Sequence, residues 1–336
     1  MFYIFAQTLF SMPQRSIFDI TTDAQFEEAA LETFRFQFEN NNTYRSFCDL
    51  LYKHPSEIKR SRDIPFLPIQ FFKSHTILTA GSETSAVFSS SGTTGSITSK
   101  HHVADLSLYE DSFRHAFAKA YGNLKDYVIL ALLPSYLERS GSSLIYMVDD
   151  LIKTSDHPDS GFYLNNLNEL ANKLDSLDKA GQKILLIGVS FALLDLVESH
   201  RFNLKNTIIM ETGGMKGRRK ELVRDELHEI LCNGFGVSSI HSEYGMTELL
   251  SQGYSNGNGI FTTPPWMKIF TRDTEDALSL LDGTKTGGLN VIDLANRFSC
   301  PFIATQDLGR VYEDGSFTVI GRFDNSDIRG CNLMSL

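Results

Sequence analysis

Three apolar runs, each followed by a helix-forming stretch, constrain the fold more than any other feature of the sequence. The runs DYVILALLP, QKILLIGV and NTIIME precede the stretches GSSLIYMVDDLIK, FALLDLVESH and GRRKELVRDELHEIL. Short β-branched or apolar runs of this kind are typical of strands that are buried on both faces. Repeated strand–helix units therefore predict an α/β fold, with a mostly parallel sheet flanked by helices.

The segments on either side of these units have different patterns. Phe26, Ala30, Phe34 and Phe38 recur at a four-residue spacing, which predicts an amphipathic opening helix. The stretch RDIPFLPIQFFKSH carries two prolines between apolar residues and predicts an edge segment or an ordered loop. In PFIATQDLGRVYEDGSFTVIGRFD, two strand-like runs surround a Glu-Asp-Gly-Ser turn, where Asp-Gly supplies the positive φ angles of a tight hairpin. This pattern predicts a C-terminal antiparallel β subdomain.

The bulk composition excludes several classes of function. The formal net charge of −10 argues against nucleic acid as a partner, because binding to the phosphate backbone needs a surplus of basic residues. The cysteines Cys48, Cys232, Cys300 and Cys331 are far apart and form no CxxC pair, so they predict neither a zinc site nor a disulfide framework. We therefore expect a cytoplasmic protein. The apolar start, MFYIFAQTLFSMPQRSIF, lacks a secretory signal's features and is too short to span a bilayer.

The most informative segment is the small-residue loop VFSSSGTTGSITSK at residues 87–100. Gly92 and Gly95 permit backbone geometries that turn successive N–H groups toward one point, and the Ser and Thr hydroxyls add further donors. The loop therefore predicts phosphate binding, although it does not match the GxxxxGK[ST] pattern of nucleoside triphosphatases. A flexible surface loop is the alternative interpretation.

Two further segments carry residues that suit a nucleotide. In SSIHSEYGMTELL, Tyr244 can stack on a base, Gly245 lets the backbone approach a ligand and Thr247 can bond a phosphate oxygen. Glu248 in the same segment is a hard-oxygen ligand for magnesium. In FIATQDLGRVYEDG, Asp307 stands at a strand end, where a carboxylate can bind a ribose diol. Taken separately, these features are an ordinary helix-entry turn and a turn-capping aspartate.

Together, and in this order, the segments resemble the adenylate-forming enzymes, the superfamily of acyl-CoA synthetases, luciferases and peptide-synthetase adenylation domains. The matching motifs are the phosphate loop at residues 90–95, Tyr-Gly-x-Thr-Glu at 244–248, the ribose-binding Asp307 and the hinge at 321–324. In METGGMKGRRKEL, Gly213 and Gly214 resemble the adenine-side loop of the phenylacetate-CoA ligase branch. The resemblance implies an adenylate-forming N-terminal domain over residues 1–320, followed by a hinge-like motif and a short tail over 321–336.

The resemblance also implies a set of site residues, with ATP and Mg²⁺ as cofactors. The implied nucleotide-binding residues are Ser90, Ser91, Gly92, Thr93, Thr94, Gly95, Gly213, Gly214, Tyr244, Gly245, Asp307 and Arg322. Thr247 and Glu248 are implied catalytic residues, with Thr247 on a phosphate and Glu248 on the magnesium ion.

One branch of the superfamily, the acyl-protein synthetases of bacterial luminescence systems, is similar to most of the chain. The stretches IPFLPIQFFK, LLPSYLERSGSSLIYM, PPWMKI and IRGCNLM carry the likeness. It implies a ligase that activates a fatty or other hydrophobic carboxylic acid as acyl-AMP and transfers the acyl group to Cys331. A partner protein such as a reductase or a carrier then receives it. The smaller domain that usually follows the hinge in this superfamily is expected to be absent.

Elementary chemistry permits this role for Cys331. A thiolate is the nucleophile that attacks an acyl adenylate, and the neighbouring Arg329 favours its ionisation. The ten residues from Gly321 to Cys331 reach at most about 33 to 36 Å when extended. A tail of that length can deliver the thiol to a site beside the nucleotide.

Other functions remain open at the level of sequence. The acyl acceptor can be coenzyme A or a carrier protein, with Cys331 incidental, or the chain can be a non-catalytic binding protein that retains the nucleotide fold. The stretch GVSFA is close to the G-x-S-x-G elbow of α/β hydrolases, with Ser190 as nucleophile and Asp225 and His241 as partners. The adjacent His101 and His102 point to opposite sides of a strand, cannot easily share a metal ion and are predicted to be polar loop residues.

Overall fold

The computed structural model describes residues 14–90, 97–133, 141–164, 166–213 and 222–322. The helices in these ranges are α1 (Asp23–Asn40), α2 (Asn42–Leu50), α3 (Phe71–Ser74), α4 (Leu106–Tyr121), α5 (Ser143–Ser155), α6 (Leu167–Lys179), α7 (Ser190–Ser199) and α8 (Arg224–Phe235). None of them is long and apolar enough to cross a membrane.

The strands in the same ranges form two larger sheets and one hairpin. They are β1 (Leu67–Pro68), β2 (Ala86–Ser89), β3 (Lys100–Val103), β4 (Val128–Leu132), β5 (Gly161–Phe162), β6 (Ile184–Val189), β7 (Thr207–Thr212), β8 (His241–Tyr244), β9 (Gly253–Ser255), β10 (Ile260–Phe261), β11 (Met267–Arg272), β12 (Thr286–Asp293), β13 (Phe302–Val311) and β14 (Phe317–Arg322).

The first sheet has the strand order β5-β4-β6-β7-β8-β9 and is parallel from β5 to β8, whereas β9 runs antiparallel to β8. The three predicted strands are β4, β6 and β7, and the predicted helices α5, α7 and α8 follow them. Every residue of β4 and β6 is buried, as expected for strands covered on both faces. The structure thus confirms the α/β fold class.

The second sheet has the order β10-β14-β13-β12-β11 and is antiparallel along this path. It is the predicted C-terminal β subdomain, and β13 and β14 form its predicted hairpin. One detail of the prediction is wrong, because Gly315 (φ 82°) has a positive φ angle but Asp314 does not. The Asp314 carboxylate instead accepts hydrogen bonds from the backbone N–H and the hydroxyl of Ser316.

The N-terminal helices pack against the antiparallel sheet. Helix α1 begins with a capping box between Thr22 and Gln25, and its four predicted apolar residues are buried. The ring of Phe34 meets that of Phe302 in β13 at 6.2 Å between centroids. After α2, the chain adds β1 to the same sheet, parallel to β13, which pairs Leu67 with Ile303. The proline-rich stretch is therefore an edge segment as predicted, but it continues into the unpredicted short helix α3.

Candidate active site

Most of the predicted site residues that the structure describes lie where the two large sheets meet. Gly213 directly follows β7, and Tyr244 is the last residue of the adjacent strand β8. The carboxyl ends of parallel strands are where open α/β sheets bind their ligands. The Tyr244 hydroxyl donates a hydrogen bond of 2.9 Å to Oδ2 of Asp307, which lies in β13 of the other sheet. This contact brings two of the predicted nucleotide-binding residues together.

Asp307 has a second predicted partner on the neighbouring strand. Arg322 of β14 pairs directly with Asp307 in the sheet register, and its Nε donates to Oδ1 at 3.1 Å. Asp307 is only 6% exposed. Each of its two carboxylate oxygens nevertheless accepts a hydrogen bond, one from Tyr244 and one from Arg322. Burial, together with the Asp307 charge, raises the pKa of Tyr244 well above its ordinary value and keeps the phenol protonated.

The base of the predicted phosphate loop is a short hairpin made by β2 and β3. Ser90 follows β2, and its backbone N–H donates to the carbonyl of Ser99 at 3.1 Å. The Ser90 hydroxyl in turn accepts from the N–H of Ser99 at 2.9 Å. The remaining predicted loop residues, Ser91, Gly92, Thr93, Thr94 and Gly95, lie outside the described residues. The structure therefore places the two ends of the loop.

Glu248 lies next to this loop base. Its side chain is 5% exposed, and burial raises the pKa of the carboxyl group, while a hydrogen bond from Ser99 acts in the opposite direction. The link to Ser99 joins the Tyr-Gly-x-Thr-Glu motif to the phosphate-loop hairpin. The described part of the chain contains no group of three or more His, Cys, Asp or Glu side chains arranged for a metal ion.

The segment that follows Glu248 is anchored by Asp293, at the end of β12. This fully buried carboxylate accepts from the backbone N–H groups of Leu250 and Ser251, at 2.7 and 3.0 Å, and from the Ser251 hydroxyl at 2.5 Å. The Ala295 N–H is a further donor at 3.2 Å. Burial nevertheless raises the pKa of Asp293, and these hydrogen bonds oppose the increase. Nothing in the sequence near Asp293 indicated this role, because its main donors lie more than 40 residues away.

The two histidines after the phosphate loop lie in β3, so their prediction as loop residues is wrong. They do point to opposite sides, as predicted. His101 is fully buried and contacts the Thr247 carbonyl through Nδ1 at 2.8 Å. His102 lies on the other face, with Nδ1 at 3.4 Å from the Thr84 hydroxyl. His101 is buried because β3 packs directly against the segment that carries Thr247.

Two glycines of the site occupy positions that other residues fit poorly. Gly213 has a φ of +64°, in the left-handed region that favours glycine. A Cβ atom on Gly245 would lie 2.3 Å from Oε1 of Glu243, so a side chain there would require that carboxyl group to move. Gly214, which was predicted to act with Gly213, lies outside the described residues.

Glu243 itself was missed by the sequence analysis. It precedes Tyr244 in β8, so strand alternation directs its side chain to the opposite face of the sheet from the Tyr244 phenol. The Thr212 hydroxyl donates to its Oε2 at 2.5 Å. Burial raises the pKa of Glu243 to about 7, and the nearby negative charge of Glu211 contributes in the same direction. The only signal in the sequence was the position of this acidic residue, directly before the Tyr-Gly-x-Thr-Glu motif.

The hydrolase hypothesis does not agree with the surroundings of Ser190. The strand β6 and the helix α7 do enclose this residue as predicted, but its side chain is 2% exposed. Its hydroxyl donates to the carbonyl oxygen of Gly213 at 2.9 Å and to Glu211 at 3.3 Å. His241, the proposed base, instead contacts the hydroxyl of Tyr121 at 3.2 Å. Ser190 therefore lacks the imidazole contact that a nucleophilic serine needs.

The remaining predicted catalytic residue, Cys331, lies outside the described residues, as do Phe323 and Asp324 of the hinge motif. Among the described cysteines, Cys48 and Cys300 are buried and Cys232 is partly buried, and all three are free thiols. Burial raises the pKa of Cys48 to about 12 and makes its thiol a poor nucleophile.

No protein-family model matches the chain. The long-chain-fatty-acid–luciferin-component ligase of Vibrio harveyi is 25% identical over 330 residues, covering 89% of this chain and 84% of that protein.

Solved structures of ligases share the fold. ATP-bound MatB from Rhodopseudomonas palustris superposes with a TM-score of 0.55 at 17% identity, covering 72% of this chain and 49% of MatB. A 2-hydroxyisobutyryl-CoA ligase gives 0.63 at 12% identity, covering 90% and 75% of the two chains. A long-chain-fatty-acid-CoA ligase from Archaeoglobus fulgidus gives 0.51 at 16% identity, covering 71% and 51%. The chain thus spans about half the length of the first and the third of these ligases.

These comparisons confirm the resemblance that the motifs predicted. The chain has the α/β fold of the N-terminal part of the adenylate-forming ligases, and its sequence is similar to that of a long-chain-fatty-acid–luciferin-component ligase.

Proposed function

We propose that the chain is an ATP-dependent ligase that activates a fatty or other hydrophobic carboxylic acid as acyl-AMP and passes the acyl group to a protein. The observation that carries this proposal is the joining of Tyr244, Asp307 and Arg322 at the end of the parallel sheet. The resemblance to a long-chain-fatty-acid ligase supports the choice of acid. The free thiols of the described cysteines suit a reducing compartment, and we assign the reaction to the cytoplasm.

The nucleotide is held by groups from both sheets. Asp307 offers a carboxylate for the ribose hydroxyls, and Arg322 balances its charge. Tyr244, Gly213 and Gly214 provide the adenine side, where Gly213 has the φ angle that brings backbone close to a ligand. The phosphate loop at residues 90–95 binds the phosphates through backbone N–H groups and hydroxyls, which suits a chain with a net charge of −10.

In the first step, a carboxylate oxygen of the acid attacks the α-phosphorus of ATP in line. A new P–O bond forms, the bond between the α-phosphorus and the bridging oxygen breaks, and pyrophosphate leaves with that electron pair. We assign Thr247 to a phosphate oxygen, and the contact of its carbonyl with His101 of the loop hairpin supports this assignment. Glu248 is the residue that would hold Mg²⁺, an ion that neutralises phosphate charge when it is bound. The buried position of Glu248 beside Ser99 supports this assignment.

In the second step, we assign the nucleophile to Cys331. Its thiolate attacks the acyl carbonyl, a C–S bond forms, the bond from the acyl carbon to the phosphate oxygen breaks, and AMP leaves. Arg322, at the end of β14, is the last described residue, and it lies nine residues before Cys331. The tail therefore starts at the Asp307 pair, beside the place where the acyl adenylate forms. An acceptor thiol or hydroxyl on a partner protein, such as a reductase or carrier, then loses its proton to solvent and attacks the thioester carbonyl. A new C–S or C–O bond forms, the C–S bond to Cys331 breaks, and the Cys331 thiolate leaves with the electron pair.

A second candidate, transfer of the acyl group to coenzyme A, is favoured by the fold shared with two CoA ligases. It needs the same first step but not Cys331. A non-catalytic binding protein is disfavoured by the hydrogen-bonded contacts among Tyr244, Asp307 and Arg322. A hydrolase is disfavoured by the buried, carbonyl-bound hydroxyl of Ser190.

The test combines two measurements on the same protein. ATP–pyrophosphate exchange is followed with Mg²⁺ and carboxylic acids of increasing chain length, and a labelled acid is then mapped onto the protein by mass spectrometry. We expect exchange with hydrophobic acids and a thioester at Cys331. Cys331→Ser is expected to retain exchange and lose the label, whereas Cys232→Ser, the matched control, retains both. Exchange without any label on Cys331 would favour coenzyme A, and a chain that exchanges with no acid would contradict the proposal.

A further inference from the structure

His101 connects the phosphate-loop hairpin to the motif that carries Thr247 and Glu248. It lies in β3, two residues after Ser99, and its ring is fully buried with its edge against Phe72 (5.7 Å between centroids, 88° between planes). Nδ1 lies 2.8 Å from the carbonyl oxygen of Thr247, and Nε2 lies 3.0 Å from Oδ1 of Asn296. Both ring nitrogens therefore face oxygen atoms.

The orientation of Asn296 is fixed independently of His101. Its side-chain amide nitrogen donates to the carbonyl oxygen of Glu248 at 2.8 Å and to that of Cys300 at 3.0 Å. Because a flipped amide would point its oxygen at two carbonyls, Oδ1 has to face His101. His101 and Asn296 thus hold two successive carbonyl groups, those of residues 247 and 248, and they also contact each other.

The hydrogen bonds of His101 depend on which nitrogen carries the proton. A neutral imidazole has a single N–H, so it can donate to the Thr247 carbonyl or to Asn296, but not to both. Burial lowers the pKa of His101 to about 4, so the ring is neutral near pH 7. We assign the proton to Nδ1 because its contact with the Thr247 carbonyl is the shorter of the two, 2.8 Å against 3.0 Å, which leaves Nε2 facing Asn296 Oδ1 without a hydrogen. The tautomer with the proton on Nδ1 satisfies that carbonyl.

We propose that His101 is a positioning residue for the adenylation step, which donates from Nδ1 to the Thr247 carbonyl and so fixes Thr247 and Glu248 relative to the phosphate loop. This inference rests on the proposed function. His101 does not touch the reacting atoms. His101 contacts the backbone carbonyl of Thr247, whereas Ser99 contacts the side-chain carboxyl group of Glu248. Ser99 directly precedes β3, which carries His101, so the hairpin and the motif are held as one unit.

The size of the effect follows from the cost of an unpaired carbonyl. Removing the donor leaves the buried Thr247 carbonyl without its partner. If this cost raises the energy of the adenylation transition state, kcat falls about 5- to 150-fold. Two substitutions separate the two ring nitrogens. The amide of His101→Asn reaches the position of Nδ1 and retains the donor to Thr247, whereas that of His101→Gln reaches the position of Nε2. His101→Leu removes both, and His102→Asn makes the same change on the opposite face of β3 as a control.

The experiment measures pyrophosphate exchange, the stabilisation of each variant by ATP in thermal melts, and the folded fraction from urea unfolding. We expect kcat per folded enzyme to fall about 5- to 150-fold in His101→Leu and His101→Gln, while the KM for the carboxylic acid stays unchanged. His101→Asn and His102→Asn should remain within about threefold of wild type. A purely structural role would instead lower stability and leave kcat per folded enzyme the same, and that outcome overturns the inference.

The remaining outcomes are also decisive. If His101→Leu does not fold, the comparison between His101→Asn and His101→Gln decides, and equal or reversed kcat values overturn the inference. If the wild type exchanges with no acid, the proposed function fails, and His101 is judged by ATP stabilisation alone. Equal ATP stabilisation of wild type, His101→Leu and His101→Gln would then overturn the positioning role. If the wild type does not bind ATP at all, both proposals fall.

Discussion

Replacing Glu243 with Gln should stabilise the protein at alkaline pH and have little effect at acidic pH. Burial raises the pKa of this carboxyl from its ordinary 4.5 to about 7 in the folded protein. Between these two values the folded state binds the proton more tightly than the unfolded state. The contribution of Glu243 to stability is therefore present at low pH and is lost as the pH rises through about 7. The difference corresponds to about 3 kcal/mol in the free energy of unfolding.

Gln is a suitable probe because it keeps the shape and the acceptor oxygen of Glu243. The Thr212 hydroxyl, which donates to the carboxyl group in the native protein, can donate to the amide oxygen in the same way. The substitution thus removes the charge and retains the contact. Burial raises the pKa values of Tyr109, Tyr121 and Tyr254 above their ordinary value of 10.0, and the Glu243 charge contributes in the same direction. These phenols stay protonated up to pH 8, so in that range the difference between the variant and the wild type reports on Glu243.

The measurement is urea unfolding of both proteins from pH 5 to pH 8. The stability difference should grow from below about 1 kcal/mol at pH 5 to about 3 kcal/mol at pH 8, with the variant more stable. Glu229→Gln, at an exposed position of α8, is the matched control and should give a difference near zero at every pH. A pH-independent difference for Glu243→Gln would refute the assignment of a buried, high-pKa carboxyl group.

Three further substitutions test other contacts. Asp307→Asn cannot accept from both Tyr244 and Arg322, so the KM for ATP in the exchange assay should rise about 10- to 100-fold; an unchanged KM argues against a ribose site. Asp293→Asn places an amide N–H₂ among backbone donors and should lower the free energy of unfolding by about 2 to 4 kcal/mol, with a loss below 1 kcal/mol as the contrary result. Ser190→Ala removes the hydrogen bonds from the hydroxyl to the Gly213 carbonyl and to Glu211 and should cost about 1 kcal/mol of stability in urea. Its exchange rate should be normal, whereas acyl transfer from an ester that is present in the wild type and lost in this variant would revive the hydrolase hypothesis.

The fold was predictable wherever local sequence reports burial directly. Strands β4 and β6 are covered on both faces, so they are continuous apolar runs that stand out from the flanking turns. The two-residue strands β1 and β5 carry no such pattern, because a pair of residues has no detectable period. Their positions depend on partners in β13 and β4, and such pairing is set by the tertiary structure rather than by local preference.

The site divides in the same way. Tyr244, Thr247 and Glu248 belong to one continuous motif, so their spacing could be recognised without any knowledge of the fold. Asn296 and Asp293 were missed, and His101 was wrongly predicted to be a loop residue, because each acts on that motif from a distant part of the chain. His101 and Asn296 are 195 residues apart, and His101 lies 146 residues from Thr247. Side chains that hold a site from outside its motif leave no local pattern.

The packing of the N-terminal helices on the last sheet has a consequence for synthesis. The Asn41 side chain donates to the carbonyl of Ser299, 258 residues later, and β1 pairs with β13. At about 5 to 20 residues per second, a ribosome needs roughly 13 to 50 s to make the intervening chain. During that time the apolar face of α1, with Phe34 and Phe38, has no sheet to cover it. We expect the emerging N-terminal segment to depend on chaperones until the antiparallel sheet leaves the ribosome.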